Sequence, residues 1–225
     1  MPGQADADLV LFVGPTMATS ARARALARRL RVRRPVRRGD LARLAAKTRK
    51  PGIVAIVDGV FHGTLAVGHA EIREAMERGW QVWGLSSMGA IRAREMAPLG
   101  MRGFGAVFAR FREDGDFQDD EVALLHEPTA PFRAASEPLI HLRTAIDHLV
   151  ARGLIDGDGA RAALSDLKSR WYGDRTIEGT TRVLMACARG DAAAVRRELA
   201  DFDRFRLKTI DLERFLEQRP WRTPG

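Results

Sequence analysis

The chain has 225 residues, of which 45% are hydrophobic, so it can bury the core of one ordinary domain, with or without an appendage. No apolar run is long enough to span a bilayer and no signal peptide opens the chain, which argues against a membrane or secreted protein. Cys187 is the single cysteine, which excludes an internal disulfide and a cysteine-based zinc site. We therefore expect a cytoplasmic protein.

The charge of the chain is strongly basic, with a net charge of +8 and a sequence pI of about 10.8. Nearly all the basic residues are arginines, and the lysines are Lys47, Lys50, Lys168 and Lys208. Such a balance favours acidic partners, either nucleic acid or an acidic protein. The arginines are spread through the chain without a recognition-helix pattern. Of the three functions considered in this subsection, we therefore rank a nucleic-acid-binding module last. The densest run, 28–38, is typical of a solvated helix end and strand edge.

The first half of the chain alternates between apolar runs and helical patterns. Strands are predicted at 9–13, 32–36, 53–58 and 81–85, and helices at about 20–30, 41–48, 67–78 and 88–96. This alternation is typical of a parallel sheet with crossover helices. The sequence therefore predicts an α/β fold in three layers, with a mostly parallel sheet flanked by helices.

The second half has a different pattern. Residues 97–135 are rich in glycine and proline and are predicted to be mostly loop, and a helix then runs from Ser136 to about Arg152. Short helical segments separated by glycines follow as far as Pro220. We predict an α/β core at residues 1–145 and a helical C-terminal region at residues 146–225.

Polar residues follow three of the predicted strands. They are Gly14-Pro15-Thr16, Asp58-Gly59 and Ser86-Ser87. Because the carboxyl ends of parallel strands meet at one edge of a sheet, we expect these segments to lie together. Asp58 is open to two interpretations, a turn residue or a carboxylate that orients another group.

The two serines lie where a strand gives way to a helix. A hydroxyl there is close to the free N–H groups of a helix N-terminus, which stabilise developing negative charge. The pattern is near the G-x-S-x-G elbow but does not match it, because Leu85 is two residues before Ser87 and Met88 is two residues after Ser86. The alternative is that one serine caps the helix.

The sequence predicts neither a metal nor a cofactor. The histidines are not spaced as metal ligands; they are His62, His69, His126, His141 and His148. The acidic run Asp119-Asp120-Glu121 is better explained as a helix cap or a contact for a basic partner than as a cation site. No glycine-rich phosphate loop follows the first strand.

Four blocks together resemble the TfuA family, whose members are partners of YcaO enzymes in peptide backbone thioamidation. The blocks are residues 12–16, residues 54–61, the stretch from Gly68 to Glu95 that includes Ser86-Ser87-Met88-Gly89-Ala90, and the stretch from Asp119 to Arg143 that includes Ser136-Glu137. The resemblance covers about residues 9–145, and its specificity comes from the separation of the Asp-Gly-x-Phe and Ser-Met-Gly-Ala blocks.

The resemblance implies that the protein hydrolyses the thiocarboxylated C-terminus of a ThiS-like sulfur carrier and delivers sulfide to YcaO, which binds the substrate peptide. It implies a serine–lysine site, with Ser87 as the nucleophile and backbone N–H groups near Met88 and Gly89 holding the oxyanion. The other pocket residues would be Ser86, Asp58, Thr16 and Gly14, with His69 beside the base. Because the chain is strongly basic, we expect arginines on the rim of the Ser87 cleft to bind partners, Arg92 before Arg94, and Asp120 and Glu121 to contact a basic partner.

The chain departs from the family pattern at the lysine. Where the family reads His-Lys-Glu-Ile, this sequence reads His69-Ala70-Glu71-Ile72. Alanine cannot accept the proton of Ser87, and His69 is the nearest alternative base. A non-catalytic adaptor that docks YcaO and its peptide is therefore the second hypothesis. For the enzyme, we expect the Ser87 hydroxyl to be exposed in a cleft shared with Asp58 and Thr16.

Overall fold

The protein is described by a computed structural model that covers residues 9–48, 50–60 and 65–222. The chain forms two compact units. The sheet unit comprises residues 1–119, 129–132 and 208–225, and the helical unit comprises residues 120–128 and 133–207. Each unit is defined by the contacts among its own residues. The boundary between an α/β core and a helical C-terminal region after residue 145 stays a prediction.

The sheet unit contains a parallel sheet with the strand order β2-β1-β3-β4-β5. The strands are β1 (Leu9–Phe12), β2 (Arg31–Arg33), β3 (Ile53–Ile56), β4 (Gln81–Leu85) and β5 (Arg102–Phe104). The short apolar runs of β1 and β3 are buried on both sides, as expected of central parallel strands. The order reverses between β1 and β3, so a crevice is expected at their carboxyl ends.

Helices cover both faces of this sheet. The helices of the sheet unit are α1 (Pro15–Ala18), α2 (Ala21–Leu26), α3 (Asp40–Lys47), α4 (His69–Glu77), α5 (Met88–Met96), α6 (Gly105–Glu113) and α11 (Leu207–Gln218). Alternate strand residues face opposite layers: Val10 and Ile56 pack with α3, α4 and α5, whereas Leu11 and Ala55 pack with α2 and α11. The predicted three-layer α/β fold is confirmed.

The prediction of a mostly irregular segment at 97–135 is wrong for its first part. Arg102–Phe104 forms the edge strand β5, and Gly105–Glu113 forms α6. The strand has three residues and the helix begins at a glycine with a φ of +92°, so neither gives a strong periodic signal. Asp211 receives the N–H groups of Ala106 and Val107 and thereby caps α6.

The helical unit consists of α7 (Leu139–Ala151), α8 (Gly157–Ser169), α9 (Ile177–Ala186) and α10 (Ala192–Leu199) around its own apolar core. Three of them begin at side-chain caps, because Asp156, Thr176 and Asp191 each accept a backbone N–H of the first turn. Three-residue or four-residue 3-10 turns at 119–121, 172–174 and 202–205 join these elements. Across residues 9–48, 50–60 and 65–222, none of the helices is long and apolar enough to cross a membrane.

Candidate active site at the carboxyl edge of the sheet

The turn between β4 and α5 is sharp and strained. Ser86 has a φ of +64°, which is uncommon for a residue with a side chain. The N–H of Ser87 donates to the carbonyl of Leu85 at 2.7 Å, and α5 begins at Met88. Strained backbone of this kind concentrates at functional turns, where the surrounding structure holds it in place.

The hydroxyls of the two serines differ in what they contact. Ser86 Oγ donates to the carbonyl of Lys208 at 2.8 Å, so this hydroxyl is committed to a structural bond. Ser87 directly precedes the first residue of α5, yet its side chain does not cap the helix and makes no hydrogen bond within the described residues. The capping alternative is therefore wrong. Ser87 is only 2% exposed, so the expectation of an exposed hydroxyl is wrong as well.

The first turn of α5 lies directly against the end of β3. The N–H of Gly89 donates to the carbonyl of Val57 at 3.2 Å, and a Cβ at Gly89 would lie 1.7 Å from the Ile56 carbonyl oxygen. Only glycine permits this approach. Gly89 is thus unavailable as an oxyanion donor in this conformation, whereas the N–H of Met88 has no acceptor in the described part of the chain.

Asp58 ties the ends of β1 and β3 together. Its Oδ2 accepts the N–H groups of Gly14 and Thr16 at 2.8 and 3.0 Å, and its Oδ1 accepts the Thr16 hydroxyl at 2.6 Å. The carbonyl of Thr16 in turn accepts the hydroxyl of Thr209, at the start of α11. Asp58 therefore orients the loop after β1, which favours the second of its two interpretations.

A cluster of charged side chains lies on the α4–α5 side of the same unit. His69 Nε2 and Arg92 Nη1 both contact Glu95 Oε2, at 2.8 and 2.5 Å, and Arg92 Nε donates to the carbonyl of Val67. Burial raises the pKa of Asp119, the charge of Arg92 opposes this shift, and the charge of Glu95 adds to it. Such a cluster can orient His69 and hold a proton on Asp119 at a pH where an exposed carboxyl is ionised.

A family model described as TfuA-like protein matches residues 58–176, which is 119 of the 225 residues. The chain belongs to the TfuA-like family. The match begins at Asp58, includes both serines and the cluster around Glu95, and continues beyond residue 145 into the helical unit. No curated protein matches the chain.

Ala70 is the residue that the resemblance predicts at the position of the family's lysine. It is exposed in the first turn of α4, two residues before the buried Ile72. Residues two apart on a helix point to nearly opposite sides. The assignment of Ala70 to the catalytic site stays a prediction, but this exposure does not favour it. His62, the fifth histidine of the sequence, lies outside the described residues.

The residues predicted to bind partners have mixed environments. Arg94 is exposed, whereas the Arg92 side chain is only 15% exposed and is held by Glu95 and Val67, so Arg92 does not form an exposed rim. Glu121 is buried and receives two hydrogen bonds from Arg143, at 2.9 and 2.7 Å. Asp120 accepts a hydrogen bond from the buried Arg175 at 2.8 Å. Both carboxylates therefore stabilise the helical unit from within.

Sequence reasoning missed two polar residues of α11, Lys208 and Asp211. Lys208 is 1% exposed, and its backbone carbonyl lies next to Ser86. Burial raises the pKa of Asp211 to about 6, against the opposing effect of the N–H groups of Val107 and Ala106. The available signal was their spacing: both residues fall at helical intervals in an apolar stripe that includes Leu212 and Phe215.

Proposed function

We propose that this TfuA-like protein hydrolyses the thiocarboxylated C-terminus of a ThiS-like sulfur-carrier protein. It would pass the sulfide to a YcaO enzyme for backbone thioamidation of the peptide that YcaO binds. The observation that carries the proposal is the position of Ser87, whose hydroxyl lies at the N-terminus of α5 and is not used as a cap. A hydroxyl that is buried without a structural partner is available for chemistry.

The proposed reaction has two steps. Ser87 Oγ forms a bond to the thiocarboxylate carbon and loses its proton to a base, and the carbon–sulfur bond then breaks to release sulfide. Water cleaves the resulting ester, which regenerates Ser87 and leaves a carboxylate on the carrier. The N–H of Met88 would stabilise the oxyanion, and the loss of one such donor typically lowers turnover about 100- to 1000-fold.

Lys208 is the residue that we propose as the base in place of a lysine at position 70. Its carbonyl accepts the Ser86 hydroxyl, and the adjacent Thr209 donates to the loop that Asp58 holds. The start of α11 therefore lies at the serine turn. Lysine is one of the side chains that serve as general bases in enzymes, and Lys208 is buried.

Docking of the carrier and of YcaO is proposed to be partly electrostatic, because the protein carries a net charge of +8. Of the two arginines predicted for this role, the exposed Arg94 is the better candidate. Association with either partner should weaken as salt shortens the Debye length, to about 3 Å at 1 M.

The second candidate function is a non-catalytic adaptor for YcaO and its substrate peptide. One observation favours it: Ser87 is nearly inaccessible, and a carrier C-terminus must reach its Oγ for catalysis. The adaptor would bind YcaO with unchanged affinity when Ser87 is replaced, and it would release no sulfide.

Release of sulfide from a thiocarboxylated ThiS-like carrier tests the proposal. The parent protein should release sulfide, Ser87→Ala should abolish release, and the neighbouring Ser86→Ala should retain most of it. Lys208→Met should lower the rate by about 100- to 10,000-fold, the usual contribution of a general base. Thermal unfolding of each variant separates loss of catalysis from loss of fold.

One further variant assigns the base. Ala70→Lys should leave the rate of the parent protein nearly unchanged if Lys208 is the base, and should raise it by orders of magnitude if position 70 is. Release that is equal in the parent and in Ser87→Ala would contradict the serine mechanism. No release from any folded form, together with tight YcaO binding, would establish the adaptor.

A further inference from the structure

A pocket of about 360 Å³ lies in the sheet unit between the end of α2 and the end of α11. The residues that line it are Ala25, Leu26, Arg28, Arg29, Leu30, Leu216, Arg219 and Trp221. All of them fall outside the family match at 58–176, and none belongs to the serine turn. The volume is within the range of small-molecule sites, roughly 300–1,000 Å³.

All the charged residues that line this pocket are positive. Three of its eight lining residues are arginines and none is acidic. Arg28 and Arg29 are exposed and have no carboxylate partner within the described residues. The planar donors of a guanidinium group match the oxygens of a carboxylate or a phosphate.

The residues that line the pocket besides the three arginines are apolar. Leu26, Leu30 and Leu216 supply aliphatic surface, and Trp221 packs on Phe215 with ring centroids 4.7 Å apart. Trp221 Nε1 is buried and has no hydrogen-bond partner within the described part of the protein. Arg219 has a φ of +51° and donates its N–H to the carbonyl of Phe215, so it ends α11 in the left-handed conformation that is common after helices.

We propose that this pocket binds a small organic anion, a carboxylate or a phosphate ester with an apolar body. Arg28 and Arg29 contact the oxyanion, and the apolar side chains with the Trp221 ring cover the body of the ligand. The site is independent of the proposed hydrolase, because no residue of the serine turn takes part.

Calorimetric titration of the full chain at low salt tests the site with four probes. Phenyl phosphate and benzoate combine an anion with an apolar body, inorganic phosphate supplies the anion alone, and benzyl alcohol supplies the apolar body alone. At least one organic anion should bind saturably with a Kd below about 1 mM, and at least tenfold more tightly than the other two probes. The better of the two organic anions distinguishes a phosphate from a carboxylate ligand.

The double variant Arg28→Gln/Arg29→Gln should weaken binding of that anion by about tenfold or more, because charge-assisted hydrogen bonds are lost. The control is Arg196→Gln, an exposed arginine that does not line the pocket, which should bind as the parent does. The proposal is overturned if neither organic anion saturates, if inorganic phosphate binds as tightly, or if the double variant binds as well as the control.

Discussion

In the sheet unit, the buried carboxylates of Asp58 and Asp211 accept hydrogen bonds from backbone N–H groups. In the helical unit, those of Glu121 and Glu137 are paired with the guanidinium groups of arginines. Backbone N–H groups fix the geometry of a loop but carry no full charge. Arginines compensate the carboxylate charge and link separate segments of the chain.

The pKa values of Asp211 and Glu137 shift in opposite directions. Burial raises the pKa of Asp211 to about 6, because the two N–H groups do not offset the loss of hydration. Burial also acts to raise the pKa of Glu137, but the hydrogen bonds and charges of His141 and Arg206 outweigh it and lower the pKa. The units should therefore respond differently to mutation and to pH.

The largest effect is expected for Glu137→Ala. This change leaves Arg206 and the buried His141 without the carboxylate that contacts both, at 2.6 and 2.7 Å. The free energy of unfolding should fall by about 3–5 kcal/mol, as for other broken buried ion pairs. Urea unfolding at pH 7, followed by circular dichroism, measures it.

The matched control for Glu137→Ala is Asp166→Ala in the same unit. Asp166 pairs with Arg170 at 2.7 Å, but both side chains are largely hydrated. Its loss should cost less than about 1 kcal/mol. Equal effects of the two substitutions would mean that burial does not distinguish the ion pairs, which would contradict the comparison.

The next effect concerns pH and Asp211→Asn. Because the folded state binds a proton on Asp211 more tightly than the unfolded state, the parent should lose stability as pH rises from about 4 to about 6. The difference in unfolding free energy between the variant and the parent should shift by about 2 kcal/mol in favour of the variant over that range.

The Glu137→Gln variant should show the opposite sign. The stabilisation from the Glu137 carboxylate is present above its ordinary pKa and is lost as pH falls through the lowered value. Urea unfolding of the parent and both variants at pH 4, 5, 6 and 7 compares the two trends. Parallel curves for Asp211→Asn and the parent would exclude the raised pKa.

A smaller effect is expected at the carboxyl edge of the sheet. Asp58→Asn removes the charge that receives three hydrogen bonds, and should lower the unfolding free energy by about 2 kcal/mol. Thr16→Val removes one of those bonds and should cost about 1 kcal/mol. Because the two residues share a bond, the double variant should lose less than the sum. Additive losses would show that Asp58 and Thr16 act independently.

The smallest effect is expected at Ser86. Ser86→Ala loses the bond to the Lys208 carbonyl but keeps a side chain at a φ of +64°. Ser86→Gly loses the same bond and relieves the strain, so it should be more stable than Ser86→Ala by about 1 kcal/mol. Thermal unfolding compares the two. A glycine variant less stable than the alanine variant would indicate that the turn is not strained.

Much of the fold could be predicted from the sequence where periodicity is strong. The bounds of β4 at Gln81–Leu85 and of α5 at Met88–Met96 agree with the sequence pattern, because an apolar run passes directly into a helical one. The helix predicted to reach about Leu30 ends at Leu26 instead, and β5 and α6 were missed. The short β5 gains its stability from pairing with β4, which no local pattern reveals.

The site could be predicted only in part. Parallel topology alone places Thr16, Asp58 and Ser87 after strands of the same sheet. The roles of Lys208 and Asp211 depend on α11, which is remote in sequence and packs on the same sheet unit. The pairing of Arg92 with Glu95 and that of Glu121 with Arg143 also depend on tertiary contacts. Composition therefore suggested exposed partner-binding groups at Arg92 and Glu121, where the structure has largely buried side chains.

The central claim is that Ser87 forms an acyl ester with the carrier, and mass spectrometry of the trapped intermediate tests it most directly. The protein is mixed with a thiocarboxylated ThiS-like carrier, quenched in acid at short times and digested, and the modified peptide is sequenced. We expect the C-terminal residues of the carrier attached at Ser87, with the adduct absent in Ser87→Ala and retained in Ser86→Ala. Sulfide release with no adduct at Ser87, or an adduct that persists in Ser87→Ala, would contradict the account.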